Sequence, residues 1–257
     1  MPTPAANPLD AFLPPVRAWF EETMGQPTPP QAAGWPAIQR GENTLIMAPT
    51  GSGKTLTAFL WGIDQLFRTL PPPTPAAADE KPKRRRRTGA GAPPQQGIHL
   101  IYLSPLKALN NDIERNLRVP LAGIRRTAEA MGQELPEIQM AVRSGDTPTR
   151  ERQAMLRKAP HILITTPESL YILLTSPRAR DLFRTVRTLI VDEIHTLVGS
   201  KRGVHLALSL ERLQHLAEQA GMPAVEYVAE AVLVPLGMAD TTIPDGSLAH
   251  GAESTVV

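Results

Sequence analysis

The sequence predicts an α/β fold, one domain built on a parallel sheet with helices on both faces. Three observations predict it. Short apolar runs recur at 44–47, 98–103, 138–142, 161–164 and 186–191. Stretches with apolar residues at helical spacing separate them, and strands alternating with helices need crossovers that return the chain parallel to itself. Most runs also end in a polar cluster: Ser104-Pro105, Ser144-Gly145, Thr166-Pro167, Asp192-Glu193. Open parallel sheets gather their functional groups beyond the carboxyl ends of their strands.

In chain order, residues 1–9 are rich in Pro and Ala and are expected to be disordered. From Asp10 to Met24, Phe12, Leu13, Val16, Trp19 and Phe20 fit one helical face. Pro14 and Pro15 are tolerated there only in a first turn. Gly25 closes that helix, and prolines lead to a second over 31–39 that ends at Arg40-Gly41. The run 44–47 is the first strand, and a helix after it reaches about Leu70. Residues 71–97 hold Pro, Ala, Gly and Arg with no apolar side chain larger than Ala. Such a segment cannot bury a core and is read as a flexible insertion. Strands over 98–103, 138–142, 161–164 and 186–191 then alternate with helices over 109–130, 148–158 and 168–175. A long amphipathic helix from Val204 to Ala220 is stopped by Gly221 and Pro223.

Composition removes several classes of function. The 257 residues contain no cysteine, which excludes disulfides and cysteine-ligated zinc or iron–sulfur sites and suits a reducing cytoplasm. No apolar run approaches the roughly 18 residues that span a bilayer, and the N-terminus lacks the order of a signal peptide. The expected location is cytoplasmic, without membrane contact. The net charge is +2, but residues 79–87 carry six basic and two acidic side chains. Without them 21 basic residues face 23 acidic ones, so a basic groove must be local. The four arginines of that segment fit a solvated linker, a nucleic-acid contact or an address.

The chemistry starts at Ala48-Pro49-Thr50-Gly51-Ser52-Gly53-Lys54-Thr55. A strand, a glycine turn and a helix start make a phosphate cradle, because Gly51 and Gly53 can aim successive N–H groups at one anion. Lys54 would reach the β/γ-phosphates of a nucleotide, most simply ATP, and the Thr55 hydroxyl would bind Mg²⁺. Ala48 stands where the strict pattern has its first glycine, which is tolerable at negative φ. Gln31, 17 residues upstream, offers an amide that matches the two-sided edge of adenine; a solvated helix cap is the plainer reading. Asp192-Glu193, after an apolar strand, supplies a carboxylate for Mg²⁺ (Asp192) and one that orients the attacking water (Glu193). Two acids at a strand end can also be only a cap.

Taken together, Pro29-Pro30-Gln31, Ala48 to Thr55, Ser104-Pro105-Leu106-Lys107-Ala108-Leu109, Ser144-Gly145-Asp146, Thr165 to Leu170 and Asp192-Glu193-Ile194-His195 resemble the first RecA-like domain of a superfamily 2 DEAD/DEAH-type helicase. Their phrasing is similar to the large helicase-related (Lhr) proteins, ATP-dependent DNA helicases associated with repair. The resemblance implies a single RecA-like (P-loop) domain over 10–220. It implies ATP and Mg²⁺ held by Gln31, Thr50, Gly51, Ser52, Gly53, Lys54, Thr55 and Asp192, with Lys54, Asp192, Glu193 and His195 serving hydrolysis and its coupling. Pro105, Lys107, Ser144, Gly145, Thr166, Pro167 and Glu168 would line a track for single-stranded or forked DNA, or RNA. An aromatic residue upstream of Gln31 would stack on the base, with Trp19, Phe20 and Phe12 as candidates.

The pattern departs past Gly221. A further core strand with a Ser-Ala-Thr motif and a second RecA-like domain with arginine fingers are expected there and are not legible. The tail from 221 to 257 is instead similar, over Tyr227 to Thr242, to a segment of serine β-lactamase-like hydrolases, as a fusion remnant would be. Without the second domain these residues are expected to bind ATP and a nucleic-acid strand weakly, turn over little and not unwind. A non-catalytic binding fragment is the alternative. A hydrolase using Ser104 in the S-x-x-K pattern Ser104-Pro105-Leu106-Lys107 is a remote one. The histidines (99, 161, 195, 205, 215 and 250) form no ligand spacing, and most read as surface.

Overall fold

Every apolar run becomes a strand of one sheet. The computed structural model describes residues 7–49, 51–71, 97–105, 107–223, 225–231 and 254–256. The expectations for residues 1–6, Thr50, most of 71–97 and most of the tail lie outside these, but residues 7–9, expected to be disordered, are ordered: Asn7 caps a 3₁₀ turn that buries Leu9 in the core.

The strands are β1 (Asn43–Met47), β2 (Leu100–Leu103), β3 (Met140–Arg143), β4 (Ile162–Thr165), β5 (Thr188–Val191), β6 (Glu226–Ala231) and β7 (Ser254–Val256). Their order is β3-β4-β2-β5-β6-β1-β7, and every pairing is parallel. The helices are α1 (Pro14–Thr23), α2 (Pro29–Gln39), α3 (Lys54–Thr69), α4 (Lys107–Ala130), α5 (Thr149–Arg157), α6 (Pro167–Thr175) and α7 (Lys201–Gln219). Prolines set several starts, because a ring with no N–H costs nothing in a first turn. Pro14 and Pro29 each begin a helix, and the chain just before Pro14 is a short 3₁₀ turn over Pro8–Ala11 rather than helix from Asp10.

The period-two alternation of strand side chains divides the apolar residues between two faces. Ile46, Leu100, Tyr102, Ile162, Ile164, Ile190 and Val228 pack beneath α1 to α4. Leu103, Leu163, Leu189 and Val191 pack on the other face with Met155 of α5, Leu173 of α6 and Leu213 of α7. Strands covered on both faces are buried at every position, as β2, β4 and β5 are. Among the described residues, no helix is long and apolar enough to cross a membrane.

Two expectations are corrected here. The strand expected past Gly221 and judged absent is present: β6 lies between β5 and β1, with Thr44 opposite Val228 and Leu189 opposite Tyr227. Its alternating Tyr, Val and Ala fit the gap in the sheet without a Ser-Ala-Thr signature. The candidate base-stacking aromatics are core residues. Phe12, Trp19 and Phe20 are all buried, and Phe12 and Phe20 meet Trp35 edge-to-face at 5.1 and 5.3 Å. Trp19 fills the space over Gly123 of α4 that any Cβ there would occupy.

Candidate nucleotide and nucleic-acid site

The glycine turn joins β1 to α3 at the carboxyl edge of the sheet. Gly51 and Gly53 sit at φ +81° and +89°, the left-handed region that costs a glycine nothing. Ala48 is not among the positive-φ residues, so its Cβ is accommodated as expected. Lys54 opens α3, and its ammonium donates to the Ala48 carbonyl at 2.6 Å and the Pro49 carbonyl at 3.0 Å. Thr55 follows it in the first turn, half-buried.

Gln31 lies against this turn. A Cβ on Gly53 would stand 2.7 Å from Gln31 Nε2. Gln31 Oε1 accepts from the Thr28 backbone N–H at 2.9 Å, one half of a capping box at the start of α2. The Thr28 hydroxyl in turn donates to the Ser52 carbonyl at 2.8 Å. The amide is thus a cap, but a buried one in contact with the glycine turn.

Asp192 follows β5, two positions along the chain from Ile190 and on the same face. Its carboxylate accepts from the Tyr102 hydroxyl at 2.5 Å, and its backbone N–H donates to the Leu103 carbonyl at 2.8 Å. Burial pushes the carboxyl above the ordinary range. The Tyr102 hydroxyl, the Glu193 N–H and the charges of Lys54 and His195 oppose that push. Lys54 and Asp192, 138 positions apart in sequence, thus stand at one edge of the sheet, each just past the end of a parallel strand. Glu193 is the one positive-φ non-glycine among the described residues, at φ 50°. Such a conformation costs a side-chain-bearing residue about 1 kcal/mol or more. It lets the Glu193 carbonyl accept from both the N–H and the hydroxyl of Thr196, each at 2.9 Å. The His195 ring meets the Glu193 carboxylate at 3.3 Å.

Beside this lies a second group. Strand order β3-β4-β2 brings the ends holding Ser144, Thr166 and Pro105 into one row. Thr166 caps α6 through the Ser169 N–H. Pro167 is buried, Glu168 is exposed, and Lys107 opens α4. Ser144 is held in a turn in which its N–H donates to the Thr147 hydroxyl at 2.9 Å. Ser104 is fully buried, which is no place for a nucleophile that a substrate must reach.

Three arginines escaped the sequence reading. Arg202, in the first turn of α7, donates to Glu168 at 2.7 Å and to the Pro105 carbonyl at 3.2 Å. It thereby fastens two of the expected track segments together. Burial alone would raise the Glu168 carboxyl, but the bond and charge of Arg202 bring it below the ordinary range. Arg152 donates to the Thr147 and Gly145 carbonyls at 2.7 and 2.6 Å. Arg143 donates to the Ser144 carbonyl; its burial, with Arg152 nearby, pulls the guanidinium below its usual value. One signal was available: a cation in the first turn of a helix opposes the helix dipole and needs another reason to be there.

The sequence profile of the DEAD/DEAH box helicase family matches residues 28–226. The chain is 50% identical over 248 residues to the Lhr helicase/probable uracil glycosylase of Mycolicibacterium smegmatis, covering 95% of this chain and 15% of the relative. It is 49% identical over 220 residues to the ATP-dependent helicase Lhr-Core of Methanothermobacter thermautotrophicus, covering 84% of this chain and 23% of the relative. The fold is similar to that of Mycobacterium smegmatis helicase Lhr bound to ssDNA and AMP-PNP, with TM-score 0.77 and 45% identity over 98% of this chain and 28% of that one. The DEAD-box helicase Mss116 bound to ssRNA and UDP-BeF shares the fold at TM-score 0.65 and 18% identity, over 90% of this chain and 42% of that one. The chain spans less than a quarter of the length of both curated relatives, and the hydrolase-like reading of the tail finds no support among these likenesses.

Proposed function

The chain belongs to the DEAD/DEAH box helicase family, and from that premise we propose that it forms the ATP-binding first motor domain of an Lhr-type, ATP-dependent DNA helicase. The observation that carries this is that the glycine turn and Lys54, after β1, and Asp192, after β5, stand at the same carboxyl edge of one parallel sheet. In this reading the N–H groups of 51–54 and the Lys54 ammonium hold the phosphates. Thr55 and Asp192 offer the hard oxygen donors that suit Mg²⁺. When bound, that ion neutralises charge on the β- and γ-phosphates. Glu193 orients the attacking water, and His195, touching Glu193, links that water to the rest of the domain. Gln31 contributes its amide to the adenine side.

The row formed by Pro105, Lys107, Ser144, Gly145, Thr166, Pro167 and Glu168 takes one strand of single-stranded or forked DNA through its backbone. N–H groups, hydroxyls and cations grip phosphates without reading bases. Turnover by these residues alone is low, since an arginine finger from a second RecA-like domain contributes roughly 10³–10⁵ in rate. The test is equilibrium binding of a fluorescent ATP analogue with Mg²⁺, and of oligo-dT and oligo-U, to the folded chain. Nucleotide binding that Lys54→Ala removes is the expected result. A folded chain that binds no nucleotide overturns the proposal, and preference for oligo-U redirects it to RNA.

A further inference from the structure

Tyr102 sits in the middle of the sheet with its ring fully buried, stacked on Phe59 of α3 at 4.9 Å and 24°. A phenylalanine would serve that packing equally well. A hydroxyl buried there costs free energy unless it is bonded, and its bond is the 2.5 Å donation to Asp192 Oδ2. Sheet register makes the contact possible. Tyr102 pairs with Ile190, so Asp192, two residues on, projects on the same face, one step beyond the ring. Asp192 is therefore held by the Tyr102 hydroxyl before any ligand reaches it, and its position is tied through Phe59 to the helix that Lys54 begins.

Resting on the reading of Asp192 as a magnesium-binding residue, we propose that Tyr102 is a positioning residue, whose hydroxyl holds Asp192 in the orientation that receives a divalent cation with the nucleotide. Loss of such an outer partner costs on the order of tenfold in metal affinity. The experiment is a Mg²⁺ titration of fluorescent ATP-analogue binding to the whole chain, for wild type, Tyr102→Phe, Asp192→Asn and the double variant, with thermal unfolding followed in parallel. Tyr102→Phe is expected to need on the order of ten times more Mg²⁺, to bind the metal-free nucleotide as wild type does, and to add nothing in the Asp192→Asn background. An unchanged Mg²⁺ requirement overturns the proposal. So does an equal weakening of metal-free binding, which would mark a merely structural role, and so does a full effect of Tyr102→Phe persisting in Asp192→Asn. If wild type itself binds no nucleotide, the functional reading fails instead, a result distinct from all of these.

Discussion

The two ends of the sheet treat their buried ionisable groups differently, although Ser52 Oγ in the glycine turn is, like His99, buried with no hydrogen-bond partner among the described residues. At the carboxyl end Gln31, Lys54, Asp192, Thr165 and Thr166 are all buried and all bonded. At the amino end both ring nitrogens of His99 and the Nε of Arg187 are buried with no hydrogen-bond partner among the described residues. His161 lies 6.1 Å from His99, ring to ring, and takes its own bond from the Gln139 N–H at 3.0 Å. Burial pushes the Asp192 carboxyl up against the opposing pull of the Tyr102 hydroxyl at one end, and pushes an imidazole down at the other. Burial first, then the charges of His161 and Arg187, push His99 down to about 4. The carboxyl end thus bonds its buried Lys54 and Asp192, and the other end carries a proton acceptor that the fold keeps empty.

The sharpest way to break this contrast is Lys54→Ala. It should weaken MgATP binding by on the order of a thousandfold, about 4 kcal/mol, in a fluorescent-nucleotide titration. His99→Phe should leave that affinity within about twofold, and equal losses from both would erase the difference between the ends.

Acid is the next lever. The unfolded chain protonates His99 near its ordinary value of about 6.5, while the fold resists down to about 4. Between these the unfolded state binds the extra proton. Stability is therefore complete above about pH 6.5 and falls as pH drops, by up to about 3 kcal/mol near pH 4. Urea unfolding across that range should show the slope, and His99→Phe should flatten it.

Smaller effects sharpen the carboxyl end. Gly53→Ala combines φ +89° with a Cβ 2.7 Å from Gln31 Nε2. It should destabilise the fold by about 1–2 kcal/mol, read by urea denaturation, and weaken nucleotide binding as well. Arg202→Ala removes an exposed pair and should change stability by less than about 1 kcal/mol. It should nonetheless weaken oligo-dT binding across sequences and lower its salt slope by about one, measured by anisotropy at several salt concentrations.

Much of this was legible because it is local. Strand, glycine turn and helix at 43–69, the first-turn prolines, and Asp192-Glu193 at a strand end all follow from sterics and hydrogen bonds within a few residues. The sequence also brought the glycine turn and Asp192-Glu193 to one sheet edge, since each follows a strand of one parallel sheet. It misplaced Phe12, Trp19 and Phe20, because an aromatic on an amphipathic helix reads the same whether it faces a ligand or a core. It passed over β6, whose short Tyr-Val-Ala run becomes a sheet strand only when β1 and β5 stand on either side.

What the sequence determined alone, then, is which segments are strands and helices and which polar clusters end them, because backbone geometry repeats over short distances. Only the tertiary structure decided that Tyr102 would hold Asp192, that Arg202 would join Pro105 to Glu168, and that the ring nitrogens of His99 would be buried without a partner among the described residues. Each depends on strand order and register, and those are fixed by how whole faces pack against one another rather than by spacing along the chain.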